Sequence, residues 1–480
     1  MTDLLIFHIG RKEKDRISII HMPYGVLLSC DMLNKNGISC KIFNAAAEIS
    51  AGKKFSLTNI IKKYEPKILG FTLQWHSQML DTFKEIRKIK KAFPDKKIIM
   101  GGITAYFFSK EILKREKAVD FIIRGDPEIP LLKLCRKIKY GERDFNNIEN
   151  LSYRENKKIK ENPIKYSIDE KTFSSLNYSN FDYIINKNSV FKVSNNFWVG
   201  IKNNKIFYPE PFKKRFFYIT SRGCFYKCSY CSAANYHLFC GRKKPVYKSP
   251  ESTAKDIKKI LNQGIDNIYF PTFPDTDNKN NFYIKLFKIL RKKKISFNCT
   301  IDCFKLPDKN FIDSFYKTFK NNLSDSFIVI SPDSFDEEIR IKNKNQNYTN
   351  KELLALLLKA YALGIKIRLY LIAGLPFSNK KTFIENILYS KKLYAFKNLE
   401  IINNTVPIEP FSPLFLNPKK YDVKIKCKTF KNFIFKKSGD LGYSTKNMSE
   451  KNIFNLIKIF NEEMSKVSQD FHPIEIRNTN

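Results

Sequence analysis

Residues 216–231 read Phe216-Phe217-Tyr218-Ile219-Thr220-Ser221-Arg222-Gly223-Cys224-Phe225-Tyr226-Lys227-Cys228-Ser229-Tyr230-Cys231. The first five form a strand pattern, and Ser-Arg-Gly leads into a C-x3-C-x2-C run with an aromatic before the last cysteine. Three thiolates within eight residues can hold three irons of a [4Fe–4S] cluster and leave the fourth iron without a protein ligand. A small molecule can bind at such an iron and receive an electron. Structural zinc sites usually pair two cysteine or cysteine/histidine halves, and no second half is evident; His237 and Cys240 downstream keep zinc open. Ten cysteines in 480 residues are too few for a disulfide framework.

Outward from this loop, residues 216–415 alternate strand and helix patterns. Strands are expected at 216–220, 267–270, 296–301, 326–330, 367–372 and 399–403. Helices are expected between them at 252–263, 282–293, 311–319, 351–363 and 382–393. About six βα units imply a partial barrel, whose chemistry sits at the C-terminal strand ends. Those ends carry Pro271-Thr272-Phe273-Pro274, Asp302, Ser331-Pro332-Asp333 and Ala373-Gly374-Leu375-Pro376.

Residues 1–145 alternate in the same way. Strands are expected at 4–9, 39–43, 68–73, 97–100 and 121–124, with helices at 26–36, 57–64, 80–92, 109–114 and 128–140. This predicts a doubly wound parallel sheet, which binds ligands at its carboxyl edge. That edge carries His21-Met22-Pro23-Tyr24-Gly25, Gln74-Trp75-His76, Gly101-Gly102-Ile103-Thr104 and Gly125-Asp126-Pro127-Glu128. The Gly-Gly pair suits close approach of backbone to a bulky ligand, and Trp75 suits a flat apolar wall. Residues 146–215 lack clean periodicity and read as a linker with short strands. Residues 416–480, with a strand at 421–426 and a helix at 450–464, read as a small cap.

The formal charge is +39. Lysine outnumbers arginine and accompanies abundant Asn, Ile and Phe, the signature of A/T-rich codons. The lysines are scattered, so the charge favours an acidic substrate or electron donor over nucleic acid. No stretch reaches the roughly 18 apolar residues of a membrane span. The first residues lack a basic n-region and cleavage site, so a cytoplasmic location is expected.

The strand, Ser-Arg-Gly and C-x3-C-x2-C together resemble the cluster loop of the radical S-adenosylmethionine (SAM) enzymes. With the βα units ahead of them, they resemble the branch that carries an N-terminal cobalamin-binding domain. The resemblance implies a Rossmann-like domain at 1–145 and a radical SAM barrel at 216–415. Its cofactors would be a [4Fe–4S] cluster on Cys224, Cys228 and Cys231, SAM, and cobalamin. It places Tyr230 against the adenine of SAM, Thr272 and Phe273 at the methionine amino group, Asp302 and Ser331 at the ribose, and Gly374 on the adenine side. The cobalamin contacts would be Pro23, Tyr24, Gly25, Gln74, Trp75, His76, Gly101, Gly102, Thr104, Gly125 and Glu128. Two departures stand out. The cobalt-binding Asp-x-His-x-x-Gly is absent, leaving His21 and His76 as the nearby histidines, and Pro271-Thr272-Phe273-Pro274 replaces the commoner Gly-Gly-Glu.

The implied activity is methyl transfer to an unactivated carbon of a small molecule or natural product, with flavodoxin or ferredoxin as electron donor. Two other readings are a radical rearrangement, cyclisation or oxidation with a vestigial cobalamin domain, and a non-catalytic cluster protein that binds nucleic acid.

Overall fold

The computed structural model describes residues 2–202, 205–210, 213–235, 240–242, 244–271, 281–437 and 439–467. The chain divides into two compact units. One comprises Met1–Tyr218, Tyr236–Asp266 and Thr429–Phe435; the other comprises Ile219–Asn235, Asn267–Lys428 and Lys436–Asn480.

In the first unit, five parallel strands lie in the order Cys40–Asn44, Leu4–His8, Ile68–Thr72, Lys97–Gly101 and Phe121–Ile123. Leu4–His8 and Ile68–Thr72 are buried throughout, as strands covered on both faces must be. The order reverses beside Leu4–His8, the switch point at which open α/β sheets hold ligands. The helices Gly25–Lys35, Leu57–Tyr64, Met79–Ala92, Ser109–Arg115 and Glu128–Lys139 stand where periodicity placed them.

The stretch expected to link two domains is built into this unit. Leu151–Glu155 and Lys158–Glu161 add an antiparallel hairpin to the edge of the first sheet. Trp198–Lys202 pairs with Arg16–Ser18 and with Lys205–Phe207 in a second, four-stranded sheet.

The second unit contains the parallel strands Asn267–Phe270, Asn298–Cys303, Phe327–Asp333, Lys366–Ala373 and Leu399–Thr405, in chain order. One face of this sheet, with Ile268, Ile301, Ile328, Leu369 and Ile401, is apolar and buried. The helices Phe282–Lys292, Lys309–Phe319, Asn350–Ala362 and Lys380–Leu393 alternate with the strands. In the region read as a cap, Val423–Ile425 pairs with Tyr443–Thr445, and the helix Glu450–Ser465 buries Ile453, Ile457 and Phe460.

Candidate functional site

The cysteine loop belongs to the second unit, and its backbone is pinned from two sides. The Ser229 amide donates to the Asn343 carbonyl at 2.7 Å, and the Ser229 carbonyl accepts from the Leu414 amide at 2.7 Å. The Ser229 hydroxyl donates to Asn343 Oδ1 at 2.7 Å, and the Ser232 hydroxyl donates to Glu409 Oε2 at 2.8 Å. Cys228 is buried, whereas Cys224 and Cys231 are partly accessible, and all three are free thiols. Burial raises each of their pKa values, that of Cys231 to about 12, so metal must displace a proton at each. Among the described residues no three His, Cys, Asp or Glu side chains converge on a single ion. His237 lies outside the described residues.

Tyr230, between two of these cysteines, donates its hydroxyl to the Asp333 carboxylate. Asp333 ends the strand Phe327–Asp333 at a φ of 63°, where pairing with the next strand shifts register between Ile330 and Asp333. A non-glycine residue held there is a local strain of the kind that gathers at functional sites. Lys344 closes the arrangement, donating to the Ser331 carbonyl at 2.6 Å and to Asp333 Oδ1 at 3.3 Å. Its side chain and that of Asp333 are both buried. Desolvation raises the Asp333 pKa, and Lys344 opposes that rise.

Asp302 is partly accessible near the end of its strand and accepts the Tyr269 hydroxyl on both oxygens, at 2.8 and 2.9 Å. Burial raises its pKa to about 7, against the opposing effects of Tyr269, Lys344 and Arg368. Ser331, expected just past its strand, lies within it. Gly374 has a φ of 82°, and a Cβ there would stand 2.7 Å from Ile453. Its carbonyl accepts from Tyr443 at 3.1 Å. The lack of a side chain at Gly374 therefore accommodates the helix Glu450–Ser465. Thr272 and Phe273 lie outside the described residues.

In the first unit, the expected edge residues divide into two groups. Several are taken up by packing. Tyr24 is buried with its ring 4.8 Å from Phe216, and His76 is buried 5.1 Å from Phe433. The Gln74 carbonyl accepts from the buried Thr104 hydroxyl at 3.0 Å, and Gln74 Oε1 accepts from the Ile103 amide at 3.4 Å. Gly102 has a φ of 116°, and a Cβ there would meet the Leu73 carbonyl at 2.6 Å. Glu128 is buried at the start of its helix, and Gly125 faces Cys240. Pro23 and Gly25 flank the start of the helix Gly25–Lys35.

The second group is open. A Cβ at Gly101 would meet nothing within 4 Å, and Trp75 is 36% exposed. His21 is half-buried between Phe197 and Phe217, with ring centroids at 5.1 and 4.8 Å. Its pKa is lowered to about 3, chiefly by burial, and its Nε2 has no hydrogen-bond partner among the described residues.

Lys344, Asn343, Tyr269 and Glu409 were not singled out from sequence, and Asp333 was named only as part of a strand end. Asp333 carried a signal, the Ser-Pro-Asp at a strand end. Lys344 carried none, being one cation among 86.

Residues 218–389 match the family model of the radical SAM superfamily. An uncharacterized methyltransferase of Pyrococcus horikoshii is 25% identical over 181 residues, 37% of this chain and 34% of that protein, so the match spans about a third of the relative's length. The radical SAM methyltransferase TsrM of Kitasatospora setae, solved with cobalamin and a [4Fe–4S] cluster, superposes with a TM-score of 0.68 at 13% identity, covering 100% of this chain and 92% of that one. The cobalamin-dependent SAM radical enzyme OxsB with aqua-cobalamin gives 0.67 at 14% identity, covering 97% and 67%. At these identities the likeness is one of fold. The chain therefore carries a radical SAM domain at residues 218–389 and has the fold of the cobalamin-dependent radical SAM enzymes.

Proposed function

We propose that this protein is a cobalamin-dependent radical SAM methyltransferase acting on an unactivated carbon of a small molecule. The observation that carries the reading is the loop Cys224–Cys228–Cys231: three free thiols on a backbone pinned by Asn343 and Leu414, two of them accessible. Cys224, Cys228 and Cys231 would hold the cluster. Tyr230, fixed by Asp333 and Lys344, would form one wall of the SAM site and shield the cluster from water. Gly101 and Trp75 offer the first unit's open surface for a corrin, the one by lacking a side chain and the other by its exposed ring. When bound, these cofactors supply a 5′-deoxyadenosyl radical and a transferable methyl group. The positive charge suits an acidic electron donor such as a flavodoxin or ferredoxin, and nucleic acid is not required as a partner. Among the described residues no helix is long and apolar enough to cross a membrane.

Anaerobic reconstitution with iron, sulfide and hydroxocobalamin, followed by a low-potential one-electron reductant, such as dithionite or reduced flavodoxin, and SAM carrying a trideuteriomethyl group, tests the reading. We expect formation of 5′-deoxyadenosine and transfer of the label to the bound corrin. Cys228→Ala should abolish both, and SAM cleavage persisting in that variant would sink the proposal. A second reading is radical chemistry without methyl transfer, which uses the same cysteine loop; OxsB, a cobalamin-dependent SAM radical enzyme, superposes nearly as well as TsrM. Deoxyadenosine formation with no labelled corrin would select it.

A further inference from the structure

The opposite face of the second unit's sheet mixes polar side chains with Phe327, Val329 and Ile402, and in a partial barrel this is the inner face. Strand alternation puts Tyr269, Thr300, Asp302, Arg368, Tyr370 and Glu400 on it. The register shows how they stack. Asp302 pairs with Val329, Val329 with Arg368, and Arg368 with Glu400, so one layer runs across four strands. Tyr269 lies beside Thr300 in the layer below.

This layer has an excess of acceptors. Arg368 donates to Glu400 at 2.7 Å and lies 5.0 Å from the Phe327 ring, so its charge is already matched. Among the described residues Asp302 takes one donor, the Tyr269 hydroxyl, and a carboxylate has room for more. The Thr300 hydroxyl is an independent sign of a missing ligand. Thr300 is only 4% exposed, and its Oγ1 has no hydrogen-bond partner among the described residues. Burying such a hydroxyl without a partner is costly, and native interiors rarely leave one so.

We propose that Asp302 and Thr300, with Tyr269, Phe327 and Tyr370 as aromatic walls, form a subsite for a substrate fragment carrying an aromatic ring and a cationic or N–H-donating nitrogen. The nitrogen would sit on Asp302, and a second polar group of the fragment would meet Thr300. The proposal rests on the radical SAM reading for its relevance to catalysis, but the binding it asserts does not. It departs from the ribose role that resemblance gives Asp302.

The test uses the reconstituted full-length protein and two probes, phenethylamine and its charge-reversed counterpart phenylacetate, with affinity measured by calorimetry or ligand-observed NMR. Phenethylamine should bind and phenylacetate should bind at least about tenfold more weakly, in line with one lost charge-assisted hydrogen bond. Asp302→Asn should weaken the amine about tenfold or more, and Thr300→Val should weaken it by a smaller factor without loss of fold. Equal binding of the two probes, absence of amine binding, or amine binding unaffected by Asp302→Asn would each overturn the proposal. Asp302→Asn weakening SAM and not the amine would overturn it too, in favour of the ribose role. A wild-type protein that binds the amine but shows no SAM-dependent change in cluster spectrum would break the radical SAM reading and leave the subsite standing.

Discussion

At the carboxyl edge of the first sheet, His8 is tied to the Thr72 hydroxyl and the Ile19 carbonyl, both at 2.8 Å, and burial lowers its pKa to about 4. Gln74, His76, Thr104 and Gly102 are likewise committed to neighbours, and what stays open there is backbone and a tryptophan ring. At the corresponding edge of the second sheet stand Asp302, Asp333 and Lys344, two carboxyls and a cation with strongly perturbed surroundings. The first edge is suited to receive a large, flat ligand through shape. The second is suited to small charged groups, and it holds strain and desolvated charge to do so.

Among the described residues, deeply buried ion pairs occur in both units: Arg242–Asp126 and Lys248–Asp256 in the first, and Lys344–Asp333 in the second. Truncating one partner of such a pair leaves an uncompensated charge and costs about 3–5 kcal/mol. Lys344→Met and Arg242→Met should both lose that much in chemical denaturation. The two should part company in cofactor loading. Lys344→Met should also reduce iron incorporation, because Asp333 anchors Tyr230 within the cysteine loop, whereas Arg242→Met should not. Adding Asp333→Asn to Lys344→Met should recover more than half the stability, since asparagine tolerates the left-handed backbone at that position. Equal iron content in all variants would mean that the loop is held without this network.

A paired glycine substitution sharpens the contrast at the first edge. Gly102→Ala places a Cβ against the Leu73 carbonyl at an unfavourable φ and should cost about 2–3 kcal/mol. Gly101→Ala meets open space and should change stability by no more than about 0.5 kcal/mol. It should nevertheless lower retention of hydroxocobalamin, read from the visible spectrum after desalting. Wild-type retention in Gly101→Ala would remove that position from the corrin surface.

What could be read from sequence follows the range of the interactions involved. The strand Asn267–Phe270 and the helix Leu57–Tyr64 stand at the residues that local periodicity selected, and the cysteine loop is legible because its ligands lie within eight residues. The four-stranded sheet was not legible, since it joins Arg16–Ser18 to Trp198–Lys202, and strands of two to five residues carry little period. The hairpin at 151–161 turns through Asn156 and Lys157, both at positive φ, where a glycine would have announced the turn and a lysine conceals it. Lys344 and Thr300 gain their importance from partners, or the lack of one, on other strands. Tyr24, expected at the corrin, packs against Phe216 and Phe217, aromatics some 190 residues along the chain to which local periodicity gives no pointer.

The smallest expected effect separates the two edges by titration. Asp302 has a folded-state pKa near 7 against an ordinary carboxyl value near 4, so the folded protein binds its proton more tightly than the unfolded chain. Below about pH 4 both states are protonated and the group is neutral in its effect. Between about pH 4 and 7 stability falls as pH rises, and above 7 the penalty is complete. The full shift corresponds to about 4 kcal/mol, and access to solvent reduces the expected loss to on the order of 1–2 kcal/mol. Burial sets the shift, against the opposing effects of the Tyr269 hydroxyl, Lys344 and Arg368. Asp302→Asn removes the titration while keeping an acceptor for Tyr269. The difference in melting temperature between wild type and variant, measured from pH 4 to 9, should therefore move in favour of the variant up to about pH 7 and then level off. The background of every other carboxylate cancels in that difference. A flat difference across the range would show that Asp302 ionises as an ordinary surface carboxylate and that the second edge is no more desolvated than the first.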